Sequence, residues 1–189
     1  MPASCHRSLT MTKKHTEARL EDAIEYCLTQ QHHYETGQSK DFDVERALEP
    51  ERVIDFIKAT QDKVWTGLVA VHGEAAQGLL LDGLVKELNT KGMLKVLRHG
   101  FKVYGKKFKV ATFAPSNNKN PDNWALYNKN VLSVTRQLYY GNAHKNSLDM
   151  VLFLNGLPIA TLELKNPLSG QTVEDAKKQY KKDRDHREL

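Results

Sequence analysis

The stretch from Leu148 to Lys165 narrows the fold of this chain more than any other. Two apolar runs of strand length, Leu148–Leu154 and Leu157–Lys165, flank Asn155-Gly156. Asn-Gly between hydrophobic runs is the strongest short-range hairpin signal. Neither run alternates cleanly with polar residues, which predicts strands buried on both faces, as in the centre of an α/β sheet. Yet Asp149, Glu163 and Lys165 interrupt these runs. A buried charge without a partner is costly and usually neutralises instead. Three charges in one greasy hairpin therefore point to a shared partner, and a divalent cation suits.

The chemistry asks for these residue types. Glu163 and Lys165 are two apart on a strand, so they share a face. Carboxylate oxygens are hard ligands for Mg²⁺, which takes one or two carboxylates plus water and phosphate. Such an ion polarises a phosphoryl oxygen and acidifies a bound water. A neighbouring lysine can orient or deprotonate that water, or neutralise charge developing on phosphorus. Register is part of this expectation. A strict two-residue loop pairs Leu154 with Leu157 and sets Asp149 opposite Leu162, with Asp149 and Glu163 on opposite faces. A three-residue loop or a bulge at Gly156 brings them to one side. A shared metal predicts the odd register.

Asp149 followed by Glu163-Leu164-Lys165 after a hairpin resembles the signature of the PD-(D/E)xK nuclease superfamily. ExK alone is a weak signal. The longer string Leu148-Asp149, Phe153-Leu154-Asn155-Gly156-Leu157-Pro158, Glu163-Leu164-Lys165-Asn166 is more specific. It resembles the N-terminal nuclease domain of the restriction (R) subunit of type I restriction-modification enzymes, from about Glu17 to the C-terminus. The resemblance implies that Asp149 and Glu163 hold the metal, with the Leu164 carbonyl as a third ligand. Lys165 would position or activate the attacking water. A glutamate of the first helix would lean toward the metal, and Glu21 is the choice over Glu17. Gln179 would support the site from the helix after the hairpin. Tyr180 stands beside it, although relatives often space the pair Gln-x-x-x-Tyr and position 183 here is Asp. Arg136-Gln137 resembles a family string on the strand before the hairpin.

A length of 189 residues suits one domain with a substantial core. Residues 1–15 read as a disordered arm or an expression remnant, with Met11 a candidate start, and residues 16–189 as the nuclease domain. The net charge of +5 and a pI near 9.1 lean toward a polyanionic partner, or toward a merely soluble basic surface. Two cysteines, Cys5 and Cys27, form no zinc or disulfide pattern, so an intracellular reducing compartment is expected; the resemblance implies the cytoplasm of a bacterium or archaeon. No apolar run approaches about 18 residues, so nothing is expected to span a membrane and no membrane partner is expected.

Helices are expected from Thr16 to about Thr29, from Pro50 with Val53, Phe56 and Ile57 inward, and from about Glu74 to Leu88, with Gly92 just beyond. In the first, Leu20, Ala23, Ile24, Cys27 and Leu28 would form the buried stripe. Gln30–Asp43 reads as a loop; His32-His33 lacks further ligands at metal spacing. Gly73 to Gly78 has phosphate-loop spacing but lacks the following Lys-Ser/Thr, so no ATP binding is expected here; the resemblance implies that ATP acts only through domains outside this chain. Strand pattern runs from Phe101 to Phe113 around a turn at Gly105-Lys106-Lys107. Lys106, Lys107 and Lys109, interleaved with aromatics, are candidate DNA contacts or a solvated strand edge. Ala114–Trp124 reads as a loop and Val131–Tyr140 as a strand. Thr172–Asp175 resembles a capping box opening a helix whose Lys177 and Lys181 either meet DNA or complement the helix dipole.

Together these readings predict a restriction-endonuclease-like three-layer α/β/α fold with a mixed central sheet. The expected activity is that of a type I site-specific deoxyribonuclease using Mg²⁺ or Mn²⁺, active in the full complex and without sequence selection of its own. Expected partners are double-stranded DNA and the methyltransferase (M) and specificity (S) subunits. Two alternatives stand beside it. One is a non-catalytic fragment that docks to methyltransferase subunits or binds DNA without cutting. The other is a structural ion-pair network of Asp149, Glu163 and Lys165.

Overall fold

In the computed structural model of the chain, residues 5–141, 146–164 and 173–178 are described. They form a mixed α/β fold with a mixed four-stranded sheet. The chain divides into two units. The first holds Met1–Ser39, Val134–Leu152 and Ile159–Leu189; the second holds Lys40–Ser133 and Phe153–Pro158.

The first unit opens with helix α1, Cys5–Gln31. It starts eleven residues before Thr16, through the stretch read above as an arm, because neither glycine nor proline interrupts residues 5–31. The face it buries also differs from the expected stripe. Glu21 is buried, Ile24, Glu25 and Leu28 are half-buried, while Leu20 is 42% exposed. The helix turns an acidic edge inward, for a reason given by the site below.

Strands β1 (Glu35–Thr36), β4 (Leu132–Tyr139), β5 (Ser147–Leu154) and β6 (Leu157–Leu162) lie in the order β1-β4-β5-β6. The short β1 falls in a stretch expected to be loop, and the Gly37 N–H donates to the Val134 carbonyl at 2.9 Å. β5 is internal and buries Leu148, Met150, Val151 and Phe153. β6 ends the order, and Ile159, Ala160 and Thr161 are exposed. The expectation of two covered faces thus holds for β5 and fails for β6. Pro158 is tolerated because an edge strand need not donate on both sides. The last described element is helix α7, Val173–Lys178.

The second unit carries a helical core. α2 (Pro50–Thr60) begins on its proline and buries Val53, Ile54, Phe56 and Ile57. α3 (Asp62–His72) and α4 (Ala76–Lys91) follow, then α5 (Met93–His99), which the sequence reading missed. Against the expectation that no apolar run reaches spanning length, the helical stretch Asp62–Lys91 is long and apolar enough by composition to cross a membrane. Here Leu68, Leu80, Leu81 and Leu84 enter the core with Phe101, Phe108 and Leu157. Each such side chain contributes about 1.5–3 kcal/mol on burial. β2 (Phe101–Val103) and β3 (Lys106–Phe108) pair with Phe101 opposite Phe108 and Val103 opposite Lys106. Their turn is Tyr104-Gly105, both left-handed at φ 46 and 76, one position before the expected turn. α6 (Pro121–Tyr127) arises inside the expected loop, capped by Asn120, whose side chain accepts from the Asp122 amide.

Candidate functional site

Within the first unit, Asp149 stands half-buried on β5 between buried Leu148 and Met150. The hairpin turn beyond it has two residues, Asn155 at φ 51 and Gly156 at φ 83. Two left-handed residues make a type I′ turn, which sets Leu154 opposite Leu157. The three-residue or bulged loop expected above does not form. Asn and Gly are the residues that tolerate this conformation, and its twist matches that of the strands.

β6 stops at Leu162, so Glu163 and Leu164 leave the ladder and strand alternation no longer dictates their direction. The Leu164 N–H donates to Asp149 Oδ2 at 2.7 Å. That amide is the next peptide after Glu163, so the Asp149 carboxylate sits on the segment carrying Glu163. Leu164 was expected to contribute its carbonyl; its described contact with Asp149 is through the amide.

Glu21 is held on both carboxylate oxygens. Arg136 Nε and Nη2 both donate to its Oε2 at 3.0 Å, and Gln137 Nε2 donates to its Oε1 at 2.9 Å. Consecutive residues of a regular strand point to opposite faces. Arg136 and Gln137 reach one carboxylate because Gln137 has φ 47, a left-handed kink inside β4. Such a residue costs on the order of 1–2 kcal/mol, which the surrounding bonds must offset. Arg136 Nη1 also meets Asp22 at 2.6 Å and Glu25 at 3.0 Å. Burial would lower the guanidinium pKa, but the hydrogen bonds to Glu25, Asp22 and Glu21 outweigh it and raise it above the ordinary arginine value. This cluster explains why α1 turns glutamates inward. Ser147 Oγ donates to Gln137 Oε1 at 3.1 Å, so the chain of contacts runs from Glu21 to the start of the strand bearing Asp149.

Sequence reasoning chose Glu21 but missed Asp22, Glu25 and Ser147 as its companions. Arg136 and Glu21 are 115 residues apart, and no spacing motif encodes such a pairing. Lys165, Gln179, Tyr180 and Lys181 lie outside the described residues. Lys177 is exposed and pairs with Glu174 at 2.7 Å. Lys106, Lys107 and Lys109 belong to the second unit. Lys106 Nζ packs over Gly67 of α3, 2.9 Å from where a Cβ would stand, whereas Lys107 and Lys109 are exposed.

The donor set suits a hard cation. Among the described residues no group of three or more His, Cys, Asp and Glu side chains could hold a metal. His32 and His33 are exposed. Asp149 and Glu163 offer carboxylate oxygen only, which fits Mg²⁺ with its water-rich shell and not a caged zinc.

No solved structure matches this chain. It is 43% identical over 58 residues to a protein of Methanocaldococcus jannaschii named "Putative type I restriction enzyme MjaIXP endonuclease subunit". That stretch covers 29% of this chain and 6% of the relative. The profile of the family described as type I restriction enzyme R protein N terminus matches residues 14–188. The chain therefore belongs to the family of type I restriction enzyme R protein N termini.

Proposed function

We propose that this chain is the DNA-cleaving domain of a type I R subunit, with the three-layer architecture of the restriction-endonuclease class. Asp149 and Glu163 would hold Mg²⁺, or Mn²⁺ in its place. When bound, the ion supplies Lewis acidity toward a phosphoryl oxygen and an acidified water. Lys165 orients the attacking water and offsets the charge that gathers on the scissile phosphate. Asp149 is aimed by its bond to the Leu164 amide. Glu21, fixed by Arg136 and Gln137, is a positioning residue, and Gln179 would join it from the helix after the hairpin. DNA contacts through Lys177, Lys181, Tyr180, Lys106, Lys107 and Lys109 would go to phosphate, so binding falls steeply with salt. Site choice would rest with the S subunit, and ATP would enter through other domains of a full R subunit in a bacterial or archaeal cytoplasm.

The observation that carries the reading is the 2.7 Å bond from the Leu164 amide to Asp149, which draws one acid of the motif onto the segment bearing the other. A plasmid-nicking assay in Mg²⁺, on the chain alone and assembled with M and S subunits, tests it. Lys165→Ala is expected to lower cutting by about 10²-fold or more, with thermal unfolding and non-specific DNA binding preserved. An unfolded Lys165→Ala variant would favour the ion-pair network. A wild-type complex that never nicks DNA would favour docking.

A further inference from the structure

The second unit contains a cavity of about 530 Å³ whose lining includes Arg98, Lys107, Lys109, Phe113, Pro115 and Gln61, and no acidic side chain. We infer that it binds an unpaired nucleotide of single-stranded DNA, the phosphate on Arg98, Lys107 and Lys109 and the base stacked on Phe113. The inference rests on the proposed function only in sharing Lys107 and Lys109 with its DNA contacts; no residue of the proposed catalytic set lines the cavity.

Three observations carry it. The first is charge. Arg98, Lys107 and Lys109 are exposed, and none of them forms an ion pair among the described residues. Three cations lining one cavity with no counter-charge repel one another, and an anionic occupant relieves that repulsion. The second is the aromatic. Phe113 is 59% exposed beside them. Cations interleaved with an accessible ring are what holds a strand whose bases are unstacked, because every base has a π-face. Duplex DNA keeps its bases stacked inside and offers Phe113 no partner. A cavity of this size suits a single small ligand.

The third is preorganisation. The segment after β3 is not strand, yet two side-chain amides clamp it. Gln61 Nε2 donates to the Lys109 carbonyl at 2.8 Å, and the Lys109 N–H donates to Gln61 Oε1 at 2.7 Å. Asn130 does the same for Thr112, at 2.6 Å and 3.1 Å. The backbone between Lys109 and Thr112 is thus pinned at both ends, and binding need not order it.

The test is fluorescence anisotropy of labelled 12-mer oligothymidylate and of a blunt 12-base-pair duplex, in EDTA, with the whole chain. The single strand is expected to bind more tightly. Phe113→Ala should weaken it about tenfold or more and leave duplex binding unchanged, and Phe113→Tyr should restore it. Arg98→Gln should lower the salt dependence of single-strand binding by about 0.7 in slope. Thymidine monophosphate competing at the same site would identify a free nucleotide as a sufficient source. Competition absent at millimolar monophosphate would assign the ligand to the strand. Equal or tighter duplex binding, insensitivity to Phe113→Ala, or inorganic phosphate competing as well as the nucleotide would each overturn the inference.

Discussion

The Glu21–Arg136 cluster allows a structural role to be separated from a chemical one. Arg136→Ala would leave the Glu21 carboxylate, 8% exposed, facing Gln137 alone. Removing one partner of a buried pair costs about 3–5 kcal/mol, because the other charge is stranded. Arg136 is itself 28% exposed and Asp22 is 64% exposed. Solvent screens those contacts, and the Asp22 bond adds little. The lower end, about 3 kcal/mol, is therefore expected, a large part of a typical total of roughly 5–15. Glu21→Gln keeps an acceptor for Arg136 and removes the charge, at a smaller cost of about 1–2 kcal/mol. Urea unfolding followed by circular dichroism measures both, and the Arg136→Ala/Glu21→Ala cycle isolates the coupling. If Arg136→Ala costs under 1 kcal/mol, the cluster is an ordinary surface network and the account of why α1 turns acids inward is wrong. The same variants report on function. A positioning Glu21 predicts that Glu21→Gln lowers the nicking rate while folding is kept. Loss of stability with full nicking would confine Glu21 to the fold.

Other outcomes follow from single residues. Gly156→Ala places a methyl 2.5 Å from the Glu49 carbonyl oxygen at a φ of 83, and should cost about 3 kcal/mol or more in urea unfolding. Asn155→Ala strips bonds from the Val131 amide and the Val110 carbonyl, both made by the buried Asn155 side chain, and should cost about 4 kcal/mol. Burial would raise the Asp43 pKa, but hydrogen bonds from Arg46 hold it below the ordinary value. A depressed carboxylate pKa stabilises the fold above the unfolded value, about 3.9, and that stability is lost as pH falls below it. Arg46→Met should shrink the difference between urea midpoints at pH 6 and pH 3.

The sequence showed where local rules govern. α2 starts on Pro50 and buries Val53, Phe56 and Ile57 as the helical period requires. The Asn155-Gly156 turn sits where its residues predict. What escaped was long-range. Nothing near Glu21 says that Arg136 will claim it, so the apolar stripe of Leu20 and Ala23 looked like the buried face. Phe108 to Phe113 looks like one strand, yet Gln61 and Asn130 take the backbone bonds of Lys109 and Thr112 and end the ladder at Phe108. Asn155 shows both sides at once. Its turn was legible, whereas its bonds to Val131, Val110 and Asn130 depend on chain folded from 24 to 45 residues away.

The same distinction decides how Asp149 should be probed. A two-residue turn followed by a regular ladder would send Asp149 and Glu163 to opposite faces, and no shared ion could form. β6 stops at Leu162, so no ladder fixes the direction of Glu163, and Asp149 accepts from the Leu164 amide, which in a continued ladder of this register would face away from β5. Asp149 thus has a task in the fold before any metal arrives. Asp149→Ala removes both tasks, so its loss of nicking would say nothing about the ion. Asp149→Asn keeps a carbonyl oxygen for the Leu164 amide and removes the charge. It should leave the urea midpoint within about 1 kcal/mol of wild type, against about 1–3 kcal/mol lost in Asp149→Ala. It should also weaken Mn²⁺ binding, measured calorimetrically, by about tenfold or more, since a neutral amide oxygen lacks the negative charge that a carboxylate brings to the cation. Equal Mn²⁺ affinity in wild type and Asp149→Asn would remove Asp149 from the metal and leave it a strand terminator.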